Sequence, residues 1–332
     1  MKFLLDLLRS IASRGLPTAL CSLRSLLFLV SFAAVGPLLL APPLASTSTI
    51  VVVVERLEIM EYKEAIDGFN EILTQKNLLT QLEIVELESK TENINAGIIE
   101  KIQAEQPALI LTVGTVSSKY VAQRIKDLPI LFSMVLAPGE ASLTKENIVG
   151  ASLDLPAKVQ LENLESVIPH LKRVGVIYHP PENQELMRQA EAAAGELGLL
   201  LKTYPVKTVM EIPELVNLDI DVLWIIPDSI VCQPVILKRI LLSSLRKRIP
   251  VMGFSRSFAN SGALLAVSCD YKDIGRQAGE LAARILQGEN YSRLKISVPR
   301  TTKLYLNQLV ANRMGINIPK KILENAAEVL GK

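Results

Sequence analysis

Residues 108–115 read Ala108-Leu-Ile-Leu-Thr-Val-Gly-Thr115, and residues 128–132 read Leu128-Pro-Ile-Leu-Phe132. An apolar, β-branched run ending in glycine, then a proline turn into a second such run, predicts two buried strands of a parallel sheet. The same device returns as Asp221-Val-Leu-Trp-Ile-Ile-Pro-Asp228 and Ile249-Pro-Val-Met-Gly-Phe254. Two copies in one chain predict two similar lobes facing each other.

Outward from these pairs, strand and helix patterns alternate. The first round has strands at Ile50–Val54, Leu82–Leu87, Ala108–Val113 and Pro129–Val135. Its helices are Tyr62–Thr74, with apolar Ala65, Ile66, Phe69, Ile72 and Leu73 at helical spacing, then Ile94–Glu105 and Ser117–Lys126. The second round has strands at Arg173–Tyr178, Leu200–Tyr204, Asp221–Ile226, Pro250–Phe254 and Ala263–Ser268. Its helices are Lys158–Leu171, Gln184–Leu197, Val209–Val216, Gln233–Arg248 and Ile274–Leu286. Strands alternating with helices make an α/β protein whose parallel sheets carry helices on both faces.

The chain has 332 residues, 49% of them hydrophobic, enough for two domains with a sizeable core. With 36 Lys and Arg against 34 Asp and Glu, it has no global basic excess to suit a nucleic acid. The N-terminus is different. Lys2, Arg9, Arg14 and Arg24 precede the apolar run of residues 25–40, and Ala45-Ser-Thr-Ser-Thr49 comes after it. This is the pattern of a secretory signal peptide over residues 1–45, short for a membrane span and broken by Pro37, Pro42 and Pro43. A periplasmic or otherwise extracytoplasmic location is expected, with a membrane anchor as the alternative if the segment is not cleaved. Cleavage leaves 32 basic and 33 acidic residues. Cys232 and Cys269 remain in the mature chain, and two readings stay open for them, a disulfide or two buried free thiols.

A parallel open sheet binds ligands beyond the carboxyl ends of its strands. No dinucleotide fingerprint, phosphate loop or Gly-x-Ser-x-Gly elbow stands there. His170 and His179, the two histidines, have no metal-ligand spacing, and His170 is expected to sit at a helix end on the surface. No catalytic residue, cofactor or metal is therefore expected. The segments at the strand ends are short and polar: Gly114-Thr-Val-Ser-Ser118, Tyr178-His-Pro-Pro-Glu-Asn183, Pro227-Asp-Ser229, Phe254-Ser-Arg-Ser257 and Cys269-Asp-Tyr271. Such groups can hold a small polar ligand without reacting with it. Each also has a structural reading: Ser117, Ser229 and Asp270 as helix caps, Asp228 as a cap or solvated acid, Gly114 as relief for a tight turn.

These pieces, in this order, resemble the ABC-transporter substrate-binding family of tryptophan- and amino-acid-type periplasmic binding proteins with the type I fold. The resemblance runs from about Ile50 to Leu330. It rests on Asp67-Gly-Phe69, Val113-Gly-Thr115, Gly150-Ala-Ser152, Val174-Gly-Val-Ile-Tyr178, Asp270-Tyr-Lys-Asp-Ile-Gly275 and the tail Tyr305-Leu-Asn307, Ala311-Asn-Arg-Met-Gly-Ile316.

The resemblance implies two doubly wound lobes joined by a three-crossing hinge near Ala151–Asp154, Asp270–Lys272 and Arg300–Lys303. It divides the chain into residues 49–152 with 271–302, and 153–270 with 303–332. It puts Gly114, Thr115, Ser117 and Met134 on one wall of a cleft. Tyr178, Asn183, Asp228, Ser229 and Phe254 form the other wall, with Asp270 at the hinge. It implies a monomer that closes on a small-molecule ligand such as an amino acid and docks on the permease of an ABC importer. The alternative is a sensing module of the same fold that feeds a membrane signalling partner. Where the family pattern has Asp-Pro, this chain has Leu136-Ala-Pro138, and an acid to face a ligand amine is missing there. Aromatic platforms are few.

Overall fold

The computed structural model describes residues 47–88, 92–139 and 141–331. The leader expected over residues 1–45 lies outside them. Among the described residues no helix is long and apolar enough to cross a membrane.

In the first half β1 (Ser48–Val54), β2 (Thr80–Glu86), β3 (Leu109–Val113), β4 (Ile130–Val135) and β5 (Ile148–Ser152) alternate with α1 (Met60–Gln75), α2 (Glu92–Glu105) and α3 (Thr115–Arg124). The strand order is β2-β1-β3-β4-β5, and every pair is parallel. Strands β3, β4 and β5 are buried along their whole length, which is why β3 and β4 run largely apolar without alternation.

The second half begins with α4 (Ala157–Val167), β6 (Arg173–Tyr178), α5 (Pro180–Leu197), β7 (Leu200–Pro205) and β8 (Val222–Trp224). It continues through α6 (Pro234–Lys247), β9 (Val251–Gly253), α7 (Arg256–Asn260), β10 (Leu265–Cys269) and α8 (Tyr271–Leu286). It closes with β11 (Thr302–Asn307), α9 (Gln308–Met314), α10 (Lys320–Asn325) and β12 (Glu328–Leu330). These strands form a seven-stranded sheet in the order β12-β11-β10-β9-β8-β6-β7. Helices α4 and α5 pack with Val174, Val176 and Trp224 on one face, while α6 and α7 pack with Leu223, Ile225 and Val251 on the other.

The α/β architecture of two doubly wound sheets stands; α7, β11, α9, α10 and β12 are additional to the expected elements, and three further differences appear. First, the second sheet is mixed: β11 runs antiparallel to β10, so that Thr302 pairs with Cys269 and Leu306 with Leu265. Second, the chain enters the crossing expected near Ala151–Asp154 from an unexpected edge strand, β5. Third, the helix expected over 209–216 is two isolated 3₁₀ turns, Val209–Glu211 and Leu215–Asn217, because Pro213 interrupts it.

The chain passes between the sheets three times, and each passage lies at carboxyl strand ends. β5 leaves the first sheet at Ser152 and continues into α4. β10 leaves the second at Cys269 and turns through Asp270 into α8, which lies along α1 over the first sheet. The return runs through Ser297, bridged to Ala151, and enters β11 opposite the end of β10. The carboxyl ends of both sheets therefore flank the same three crossings.

Candidate ligand-binding site

On the first sheet β3 ends at Gly114, whose φ of 95° is a region that favours glycine. A side chain there would also meet the Tyr62 hydroxyl at 2.5 Å. Tyr62 comes from the first turn of α1 and is half-buried. Burial raises its phenol pKa, as does Glu55, against the opposing charge of Arg56. Thr115, also half-buried, opens α3. Ser117 is fully buried and caps no helix; its hydroxyl donates to Val113 O (2.7 Å) and Gly114 O (3.1 Å). Its neighbour Ser118 donates to Gly114 O at 2.7 Å and shares a 2.8 Å hydrogen bond with Thr112 Oγ1. These serines fasten the turn that presents Gly114 and Thr115.

At the end of β4 the register against β5 shifts between Ser133 and Val135. Met134 is bulged there at a φ of 60°, a strained value for a non-glycine residue. It is buried. The Ser133 hydroxyl is buried with no hydrogen-bond partner among the described residues, an uncommon state for such a group. Beside it, the loop where the family has Asp-Pro receives an acid from elsewhere: Asp154 Oδ1 accepts from the Ala137 amide at 2.8 Å. Burial lifts the Asp154 carboxyl above the usual range, and the bond from Ala137 only partly offsets this. Val116 and Leu136 remain 53% and 40% exposed at these same strand ends.

On the second sheet Tyr178 ends β6 and packs, partly buried, against the larger core. The 5% exposed Asp228 organises the loops around it. Its Oδ2 accepts from the His179 amide and from Asn183 Nδ2 (3.1 Å). Its Oδ1 accepts from the amides of Ile230 and Val231, both at 2.9 Å. Asp228 is thus a staple between its own loop and the N-terminal turn of α5, and Asn183 is its buried partner. Ser229 is exposed and caps no helix; its amide (2.9 Å) and hydroxyl both donate to Glu182. Phe254 is partly buried, its ring 4.6 Å from that of Phe258, and packs against the core beneath α6 and α7.

At the crossings Asp270 caps α8, accepting from the amides of Lys272 (3.2 Å) and Asp273 (3.4 Å) and pairing with Lys303 at 3.1 Å. Cys269 and Cys232 are free thiols. Cys269 Sγ faces Leu153 O across a crossing. Burial, with Asp154 nearby, pushes its pKa up to about 12. His170 is exposed just beyond α4, at a φ of 62°. Among the described residues no group of three or more His, Cys, Asp or Glu is placed to hold a metal.

The structure thus joins Gly114, Thr115 and Ser117 around one loop, and Asn183, Asp228 and Ser229 around another. It turns Phe254 toward Phe258 and uses Asp270 as a cap. Tyr62, Ser133 and Asp154 went unread in the sequence. None stands in a loop after a predicted strand with a recognisable motif.

The sequence profile of the ABC transporter substrate binding protein family matches residues 50–330. The chain belongs to that family. It is a solute-binding protein of the ABC-transporter class rather than an enzyme. A curated relative, the tyrosine-binding protein of Clostridioides difficile strain R20291, is 26% identical over 237 residues. That match spans 64% of each chain, under two thirds of the relative's length. Among solved structures, a ligand-free, open substrate-binding protein with adhesive properties from Clostridium difficile superposes with a TM-score of 0.71 at 23% identity. The ABC domain from Streptococcus pneumonia in complex with L-Trp gives 0.62 at 21%. Each covers 86% of this chain and is itself covered completely. At these identities the likeness shows the fold: two α/β lobes of the periplasmic-binding type.

Proposed function

We propose that this substrate-binding protein is the extracytoplasmic component of an ABC importer and closes its two lobes on an aromatic amino acid. The lobes are residues 49–152 with 271–302, and 153–270 with 303–332. The observation that carries the reading is the convergence of the polar loops of both sheets on the three crossings. A hinge there moves both walls at once. Asp154 supplies the acid missing from the 136–138 loop and faces the ligand's ammonium group. The unpartnered Ser133 hydroxyl and the Thr115 hydroxyl take its carboxylate side. Val116, Leu136 and Tyr62 offer apolar surface to its ring. The relative named for tyrosine and the neighbour holding L-Trp support this ligand class. A permease receives the closed form, and no bond is broken.

Calorimetric titration with L-tyrosine and L-tryptophan, with small-angle scattering of the same samples, tests the proposal. Saturable binding and a smaller radius of gyration with ligand are expected. Asp154→Asn should weaken binding at least about tenfold, since charge-assisted hydrogen bonds contribute about 1.5–3 kcal/mol. Binding of sugars but no amino acid would overturn the ligand class, and binding without compaction would overturn the mechanism.

A further inference from the structure

Helix α6 differs from every other surface element of its lobe. From Gln233 to Arg248 it carries Lys238, Arg239, Arg246, Lys247 and Arg248 and not one acid. All five cations are exposed, and none forms an ion pair among the described residues. Surface cations elsewhere are commonly paired, as Lys158 is with Glu196, Arg173 with Asp219 and Asp221, and Arg256 with Glu328.

Apolar side chains are interleaved with these charges. Val235 is 79% exposed and Leu242 47%. Positions 235, 238, 239, 242 and 246 fall on one helical face of the 14-residue helix, a stripe about 17 Å long. Ile236, Ile240, Leu241 and Ser244 face inward, so the helix is already seated on the sheet and the stripe is surplus to the core. Beside the stripe runs a groove of about 450 Å³ lined by Pro234, Leu237, Leu241, Leu242 and Leu245 with Lys238.

The other face of the same sheet has the opposite charge. There α4 and α5 carry Glu162, Glu165, Glu182, Glu185, Glu191 and Glu196 against Lys158 and Arg188. The two helical faces of the lobe therefore differ in charge, although the 209–217 segment packed beside α6 adds Glu211 and Glu214 to the basic side. An anionic surface attracts the first side and repels the second, so it orients the molecule as well as holding it. Exposed aliphatic residues set among unpaired cations complement an anionic lipid bilayer, whose headgroups take the charges while the interface takes the methyl groups.

We propose that the outer face of α6 is a docking surface for anionic phospholipid headgroups, holding this protein on the membrane independently of its bound solute. Binding is shallow, reversible and weakened by salt.

The full chain is mixed with phosphatidylglycerol-containing vesicles or with pure phosphatidylcholine vesicles and sedimented. Preference for the anionic vesicles is expected. The double variant Lys238→Gln, Arg246→Gln should partition about 25-fold less, at about fivefold for each charge near the surface. Leu242→Trp adds a reporter outside the core, where Trp224 is fully buried. Its emission should shift to the blue with anionic vesicles only. All three positions are exposed, and unfolding curves matching the parent's will show that the fold is intact. Sedimentation unchanged in the double variant, with no shift at position 242, means that residues 1–45 carry all the binding and overturns the proposal. Equal binding to both vesicle types overturns it as well. So does a shift at 242 with polyglutamate but not with vesicles, which would identify an acidic polypeptide as the partner.

Discussion

Asp228 accepts hydrogen bonds from four N–H groups: those of its own loop at Ile230 and Val231, the amide of His179, and the Asn183 side chain. With the carboxylate so occupied, its contribution to any ligand is to hold Asn183 and the N-terminal turn of α5 in place. Asp228→Ala would leave several buried donors without partners, at about 1–3 kcal/mol for each group not rescued by water. We expect a loss of about 3 kcal/mol in denaturant unfolding, with the slope unchanged; a loss below about 0.5 kcal/mol would mean that these segments do not depend on the staple. From the sequence Asp228 stood evenly between cap and ligand group. Its partners at His179 and Asn183 lie 45 or more positions away, and only tertiary structure brings them together.

Between elements, the tightest contact is α1 against α8. A Cβ on Gly68 would lie 2.0 Å from Lys272 O, and one on Gly275 1.9 Å from Ala65 O. The two backbones touch because neither glycine has a side chain, and Gly279 against Phe69 O extends the seam. Arg276 and Lys272 of α8 reach across it to Glu71 of α1. Gly275→Ala must push the helices apart, and overpacking against backbone costs about 3 kcal/mol. Such a loss in thermal or chemical unfolding is the expected result, and a variant as stable as the parent would show that the seam has room. Both glycines were visible as parts of family-like segments, but 207 residues separate them and no local pattern says that they meet. Strands β1, β3 and β4 were legible because burial on both faces leaves a nearly continuous apolar run. β5, with Gly150-Ala-Ser152, has no such run. The reversal at β11 depends on how the chain re-enters the second sheet, which periodicity does not encode.

Over the whole molecule, helix α8 and the return passage that leads into β11 are tied to each other by a charge network whose best-defended member is Asp273. Burial alone would raise its carboxyl. Arg300 reverses this through hydrogen bonds of 2.9–3.3 Å and its charge, aided by Thr301 and Gln277, and the carboxyl is held below its ordinary 3.8. Arg300 also holds Glu280 of α8, so one guanidinium ties the return passage to the helix that crossed before it. A carboxyl whose folded pKa is depressed stabilises the native state at every pH above its unfolded value. That stabilisation is lost as pH falls through the folded value, because the native state must then take up the proton it had excluded. Asp273→Asn should therefore be less stable than the parent near neutral pH by about 1 kcal/mol, a figure discounted because the Arg300 side chain is 48% exposed. The gap should hold down to about 3.8 and close below it. Urea unfolding of both proteins across that range measures it. A gap that widens on acidification would mean that Asp273 is protonated in the native state, and that burial rather than Arg300 governs the contact between α8 and the return passage.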